Sequence, residues 1–134
     1  MAETLELEIA TPERELLREK VTEVQIPGRN GYMGILPGHA ALVGLLGIGV
    51  LTYEVRGEKR YMAVHGGFLE VADDQVRVLA DTAERAEEID IPRARTALQR
   101  AMEDGENPAV GVDPAQALAA AARAQARLET AEKK

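Results

Sequence analysis

The hydrophobic period changes near residue 90, and a fold built from one kind of element cannot accommodate that change. From Leu5 to Ala80, apolar and polar residues alternate in short runs broken by glycines, the grammar of strands and turns. Leu5, Leu7 and Ile9 alternate with Glu6 and Glu8, and Val24 and Ile26 flank Gln25. Val50 to Val55, a turn at Arg56-Gly57-Glu58, and Tyr61 to Val64 predict one hairpin. Phe68 to Val71, a turn at Asp73-Asp74, and Val76 to Leu79 predict a second. Short strands with frequent turns imply an antiparallel β-sandwich or barrel.

Beyond Asp90 the spacing becomes helical, with Ile91, Ala94, Leu98, Ala101 and Met102 on one face and Gly105 placed to end the helix. Residues 106–112 predict a linker. Asp113-Pro114-Ala115-Gln116 then supplies an N-cap, a proline in the first turn and a glutamine at the capping-box position. An Ala-rich second helix follows to about Ala131. The expected architecture is an all-β domain over residues 1–88 and a two-helix hairpin over 89–134.

Charge divides at the same place. Residues 1–90 carry 9 basic and 17 acidic side chains, a net −8, whereas residues 91–134 carry 7 and 6, a net +1. The hairpin can therefore approach an acidic partner that the front domain repels. Its apolar face is mostly alanine, which buries little area per residue, so weak docking on the β-domain is expected.

Composition excludes several functions. The net charge of −7 and 3% aromatic residues argue against nucleic acid as a partner. Cysteine and serine are absent, which removes disulfides, thiolate metal sites and the usual acyl-transfer nucleophiles. His39 and His65 are the only histidines and lack short ligand spacing, so neither a zinc site nor catalysis is expected. No apolar run approaches the ~20 residues that span a bilayer, and the first residues lack signal-peptide character, so direct membrane insertion is not expected and the product reads as intracellular.

The segment Ile26-Pro27-Gly28-Arg29-Asn30-Gly31-Tyr32-Met33-Gly34-Ile35-Leu36-Pro37-Gly38-His39-Ala40 resembles the signature of epsilon subunits of bacterial rotary ATP synthases. Val64-His65-Gly66-Gly67-Phe68-Leu69-Glu70-Val71 and Val78-Leu79-Ala80-Asp81-Thr82-Ala83-Glu84 resemble later blocks of the same family, in the same order. The resemblance implies a non-catalytic central-stalk subunit that requires no cofactor. Its partners would be the gamma subunit, the ring of c subunits and, through the C-terminal helices, the alpha and beta catalytic subunits. Its place would be peripheral, on the cytoplasmic face of the bacterial inner membrane. Tyr32 and His39 would touch the c ring, although the family often has an acidic residue where Tyr32 stands, and His39 serves equally as a locally bonded turn residue.

Ile89-Asp90-Ile91-Pro92-Arg93-Ala94 and Arg123-Ala124-Gln125-Ala126-Arg127-Leu128 resemble the two elements with which some epsilon subunits bind ATP. Arg93 and Arg100 are seven residues apart, and Arg123 and Arg127 four, so each pair shares a helix face. A folded hairpin would gather these four guanidinium groups for a polyphosphate. Asp90 and Glu84 would accept from the adenine amino group or ribose. Regulatory ATP is the implied ligand, at Glu84, Asp90, Arg93, Ala94, Arg100, Arg123 and Arg127. The plain alternative makes the arginines solvated helix surface and Asp90 an N-cap. Two other readings use the same elements: a free-standing β-domain that senses nucleotide or another anion, and an adaptor whose hairpin grafts as a coiled coil. The last is disfavoured by the lack of Leu, Ile or Val heptads.

Overall fold

Leu5, Leu7 and Ile9 point inward from the first strand while Glu6 and Glu8 flank them outside, so the alternation in the sequence becomes the two faces of a sheet. The computed structural model describes residues 3–106, 111 and 113–133. Most of the expected linker (107–110 and Val112), together with Lys134, lies outside the described residues. The strands are β1 (Leu5–Ala10), β2 (Glu15–Val21), β3 (Glu23–Gly28), β4 (Gly31–Ile35), β5 (Leu42–Leu45), β6 (Ile48–Val55), β7 (Glu58–Ala72) and β8 (Gln75–Arg85). They pair in the order β2-β1-β8-β7-β6-β3-β4, with β5 added along β7. All pairings among the described strands are antiparallel except that of β1 with β8, which is parallel.

Both expected turns form. Arg56 and Gly57 take positive φ between β6 and β7, and Asp73 and Asp74 do so between β7 and β8, as the tight two-residue hairpin turn requires. The second expectation needs correction: Tyr61–Val64 and Phe68–Val71 are one strand, not two. The ladder of β7 with β8 keeps register from Met62↔Arg85 to Ala72↔Gln75, while β7 changes its other partner from β6 to β5 beyond Gly66-Gly67. The chain bends there, and the two halves of the sheet close over one core. Leu7, Ile9, Val76 and Val78 of one half meet Val24, Ile26, Ile35 and Leu51 of the other.

A short 3₁₀ turn at Ala86–Glu88 leads to α1 (Ile91–Glu106) and α2 (Pro114–Glu132). Asp113 caps α2, its carboxylate accepting from the Ala115 N–H at 2.9 Å. No hydrogen bond from Gln116 completes a capping box among the described residues, and α1 runs through Gly105 rather than stopping at it. The helices form an antiparallel hairpin in which α2 lies on β6 and β7, and α1 packs on α2. The seam between sheet and hairpin is small: Ala63, Ile89 and Ala131 are buried together, with Ile91 against them. Full burial of a Leu or Ile contributes about 1.5–3 kcal/mol, and alanine much less. The docked hairpin is thus held by little apolar area, in keeping with its alanine-rich composition.

Candidate functional site

The start of α1 and the middle of α2 meet over the end of β8, leaving a cleft of about 480 Å³. This falls within the range of small-molecule sites. Thr82, Glu84, Glu88, Asp90, Arg93, Ala94, Ala97 and Arg127 line it. Five of the seven residues that the sequence nominates for ATP are among them.

Each side chain arrives for a local reason. Asp90 is the N-cap of α1: one carboxylate oxygen accepts from the Arg93 N–H at 3.1 Å, and its carbonyl accepts from the Ala94 N–H at 3.0 Å. The capping reading therefore holds in this structure, and it leaves the second carboxylate oxygen free of the cap. Pro92 sits in the first turn, where its missing N–H costs no intrahelical bond. Thr82 and Glu84 are two apart on β8 and share a face by strand alternation. Glu84 binds Arg127 of α2, with Oε1 2.5 Å from Nε and both side chains about 31% exposed. This ion pair spans 43 positions in sequence and ties hairpin to sheet. Glu88 is shared with Arg14 at 3.5 Å and accepts from the Arg85 N–H at 3.2 Å.

Arg100 is exposed on α1, two turns beyond Arg93, and does not line the cleft. Arg123 is partly buried one turn before Arg127 and also lies outside the lining, though its charge reaches His65 on β7. The structure thus brings together two of the four arginines, facing three carboxylates. Thr82, Glu88 and Ala97 escape the sequence reading. Alternation from Glu84 would have indicated Thr82, and one helical turn from Arg93 would have indicated Ala97.

The expected rotor contacts sit apart from this cleft and from each other. Tyr32 is 61% exposed, yet its hydroxyl oxygen accepts from the Val50 N–H at 3.1 Å. That close approach needs Gly49, because a Cβ there would lie 2.6 Å from the Tyr32 hydroxyl oxygen and 2.8 Å from Pro27. His39 is held locally, its Nδ1 2.7 Å from the Ala40 carbonyl oxygen. The adjacent Gly38 N–H donates to Asp74 at 2.6 Å, fixing the loop to the β7–β8 turn. Val43, Leu45 and Phe68 add exposed apolar area along β5 and β7, with Leu45 and Phe68 directly paired.

Among the described residues, no helix is long and apolar enough to cross a membrane, and no group of acidic residues and histidines is placed to hold a metal ion. A family model described as the beta-sandwich domain of the ATP synthase delta/epsilon chain matches residues 4–86, and one described as its long alpha-helix domain matches 87–132. An ATP synthase epsilon chain of Solibacter usitatus (strain Ellin6076) is 69% identical over 134 residues, the whole of both chains. One from Moorella thermoacetica is 50% identical over 130 residues, covering 96% of each. A chain in the cryo-EM structure of the Euglena gracilis mitochondrial ATP synthase (OSCP, F1 and c-ring) has a TM-score of 0.85 at 29% identity, covering 98% of this chain and 83% of that one. Matched in both segments and along its full length, the chain belongs to the ATP synthase delta/epsilon family, as a subunit of that enzyme complex and not its catalyst.

Proposed function

We propose that this chain is a rotor element whose hairpin is a nucleotide-sensitive brake on ATP hydrolysis. The sandwich would clip to the gamma subunit and the c ring on the cytoplasmic face of the membrane. Exposed Tyr32, Val43, Leu45 and Phe68 supply apolar area for such contacts. The hairpin, with its small seam, would alternate between the docked pose and one extended along gamma, where its basic side chains meet the catalytic subunits.

The observation that carries the reading is the cleft, which sets Arg93 of α1 and Arg127 of α2 beside Asp90 and Glu84 only when the hairpin is docked. A triphosphate would take the two guanidinium forks, relieving Glu84 of its hold on Arg127. The free oxygen of Asp90 and the carboxylate of Glu84 would then accept from the base or ribose. Such a ligand binds one pose of the hairpin and shifts the population toward it, so scarce ATP favours the extended brake.

Calorimetric titration of the isolated chain with ATP tests this directly. Saturable binding is expected, weakened about tenfold or more in both Arg93→Ala and Arg127→Ala, the scale of one lost charge-assisted contact. Equal affinity in wild type and both variants, or no heat at millimolar ATP, would reduce these arginines to helix surface.

A further inference from the structure

His65 presents an ionisable ring from the sheet to the underside of the hairpin. Along β7, Met62 and Val64 point into the sandwich core, so Ala63 and His65 point out of it, toward the face that α2 covers. His65 is 5% exposed, and neither ring nitrogen has a hydrogen-bond partner among the described residues. The charged groups that act on it are Arg127 and Arg123 from α2 and Glu84 from β8. Glu84 is already engaged by Arg127. On β6 the register partner is Ile48, which offers no charge. A proton on this ring would therefore add a third positive charge beneath two guanidinium groups, away from water.

We propose that His65 is a proton-operated release for the hairpin: protonation of the ring drives α2 off the sheet. Undocking hydrates the imidazole and removes both arginines at once, so the released state binds the proton more tightly than the docked one. Burial first, then the Arg127 and Arg123 charges, pull its pKa down to about 4 in the docked chain, with Glu84 opposing. A free imidazole titrates near 6.5. Because the docked pKa is the depressed one, docking is fully supported above about pH 6.5. That support is lost progressively as pH falls toward 4. Linkage between these limits raises the opening constant about eightfold from pH 7 to pH 5.5, a window above the ordinary range of carboxylates. The device needs only the docked pose, and it acts in the chain whose neighbouring cleft holds no nucleotide.

Amide hydrogen exchange of the full chain without nucleotide, corrected for the intrinsic pH dependence of exchange, reads the opening of α2. The opening constant at Ala124 and Ala126 is expected to rise about eightfold between pH 7 and 5.5. In His65→Leu and His65→Gln it should stay flat. A flat profile in the wild type, or an equal rise in the variants, would overturn the proposal. If neither variant folds, the imidazole C–H shifts of the wild type decide. The chain has two histidines, so the resonances are readily assigned. A His65 midpoint below 5 in the docked chain supports the release, and a midpoint at 6 or above overturns it.

Discussion

Replacing Gly67 with alanine is expected to lower the stability of the sandwich by about 3 kcal/mol, the largest loss anticipated from a single methyl group in this chain. Gly67 has φ +112, and a Cβ there would overlap the Leu79 carbonyl oxygen and lie 3.0 Å from the Ala80 Cα. Both obstacles are backbone of the neighbouring strand β8, fixed by the Gly67↔Ala80 pairing, so neither can turn aside. The site is also the bend that lets β7 leave β6 and take up β5, with the Gly67 carbonyl accepting from the Leu46 N–H at 2.9 Å. Gly57 provides the control. Its φ is +81, but it sits in the β6–β7 turn, where an added methyl group would meet nothing within 4 Å. Alanine there should cost only the left-handed conformational penalty, about 1–2 kcal/mol. Urea unfolding should show a midpoint shift at least half as large again for Gly67→Ala, with the slope unchanged in both. Equal shifts would mean that the bend yields, and that the closure of the sandwich does not depend on it.

That same bend marks where the sequence stops being legible. Gly66-Gly67 reads as punctuation between two strands, because glycine usually interrupts a strand, and only the pairing with β8 shows the ladder passing through. Strand β2 escapes notice for a different reason. Glu15-Leu16-Leu17-Arg18-Glu19-Lys20-Val21 lacks clean alternation, since an edge strand need satisfy only one neighbour. Here it does so partly through Arg18, which reaches Glu6, Glu8 and Glu15. The parallel run of β1 on β8 is beyond reach, because a two-residue period is the same in either direction. In the hairpin, spacing finds which arginines share a helix face but not how far each helix is turned toward the sheet. Arg127 faces Glu84, whereas Arg100, two turns along α1 from Arg93, is exposed and does not line the cleft. In the sequence, His65 reads only as half of an incomplete metal-ligand set, with no short spacing to His39. Its neighbours Val64 and Ala63 hold the better signal, since alternation puts a polar ring on the face opposite the core.

Deleting residues 89–134 is expected to leave a folded sandwich that still assembles, and to raise ATP hydrolysis by the complex when ATP is scarce. The first half of the expectation rests on where the core lies. The buried cluster that joins the two halves of the sheet ends at Ala80 and takes no residue from either helix. Deletion removes the smaller cluster around Ala63 and uncovers His65 and Val50, outward-facing positions that water can reach at modest cost. The second half depends on the proposed brake. If about nine complexes in ten hold the hairpin extended under those conditions, removing it should raise the hydrolysis rate about tenfold. At high ATP, where the docked pose is already favoured, the gain should shrink toward none. Measuring hydrolysis against ATP concentration in reconstituted complexes, with and without the hairpin, separates the possibilities. A rise confined to low ATP supports a brake held off by nucleotide. An equal rise at all concentrations keeps the brake but removes nucleotide from it. Unchanged hydrolysis throughout rejects the brake, and failure to assemble would show that the helices are needed to present the sandwich to its partners.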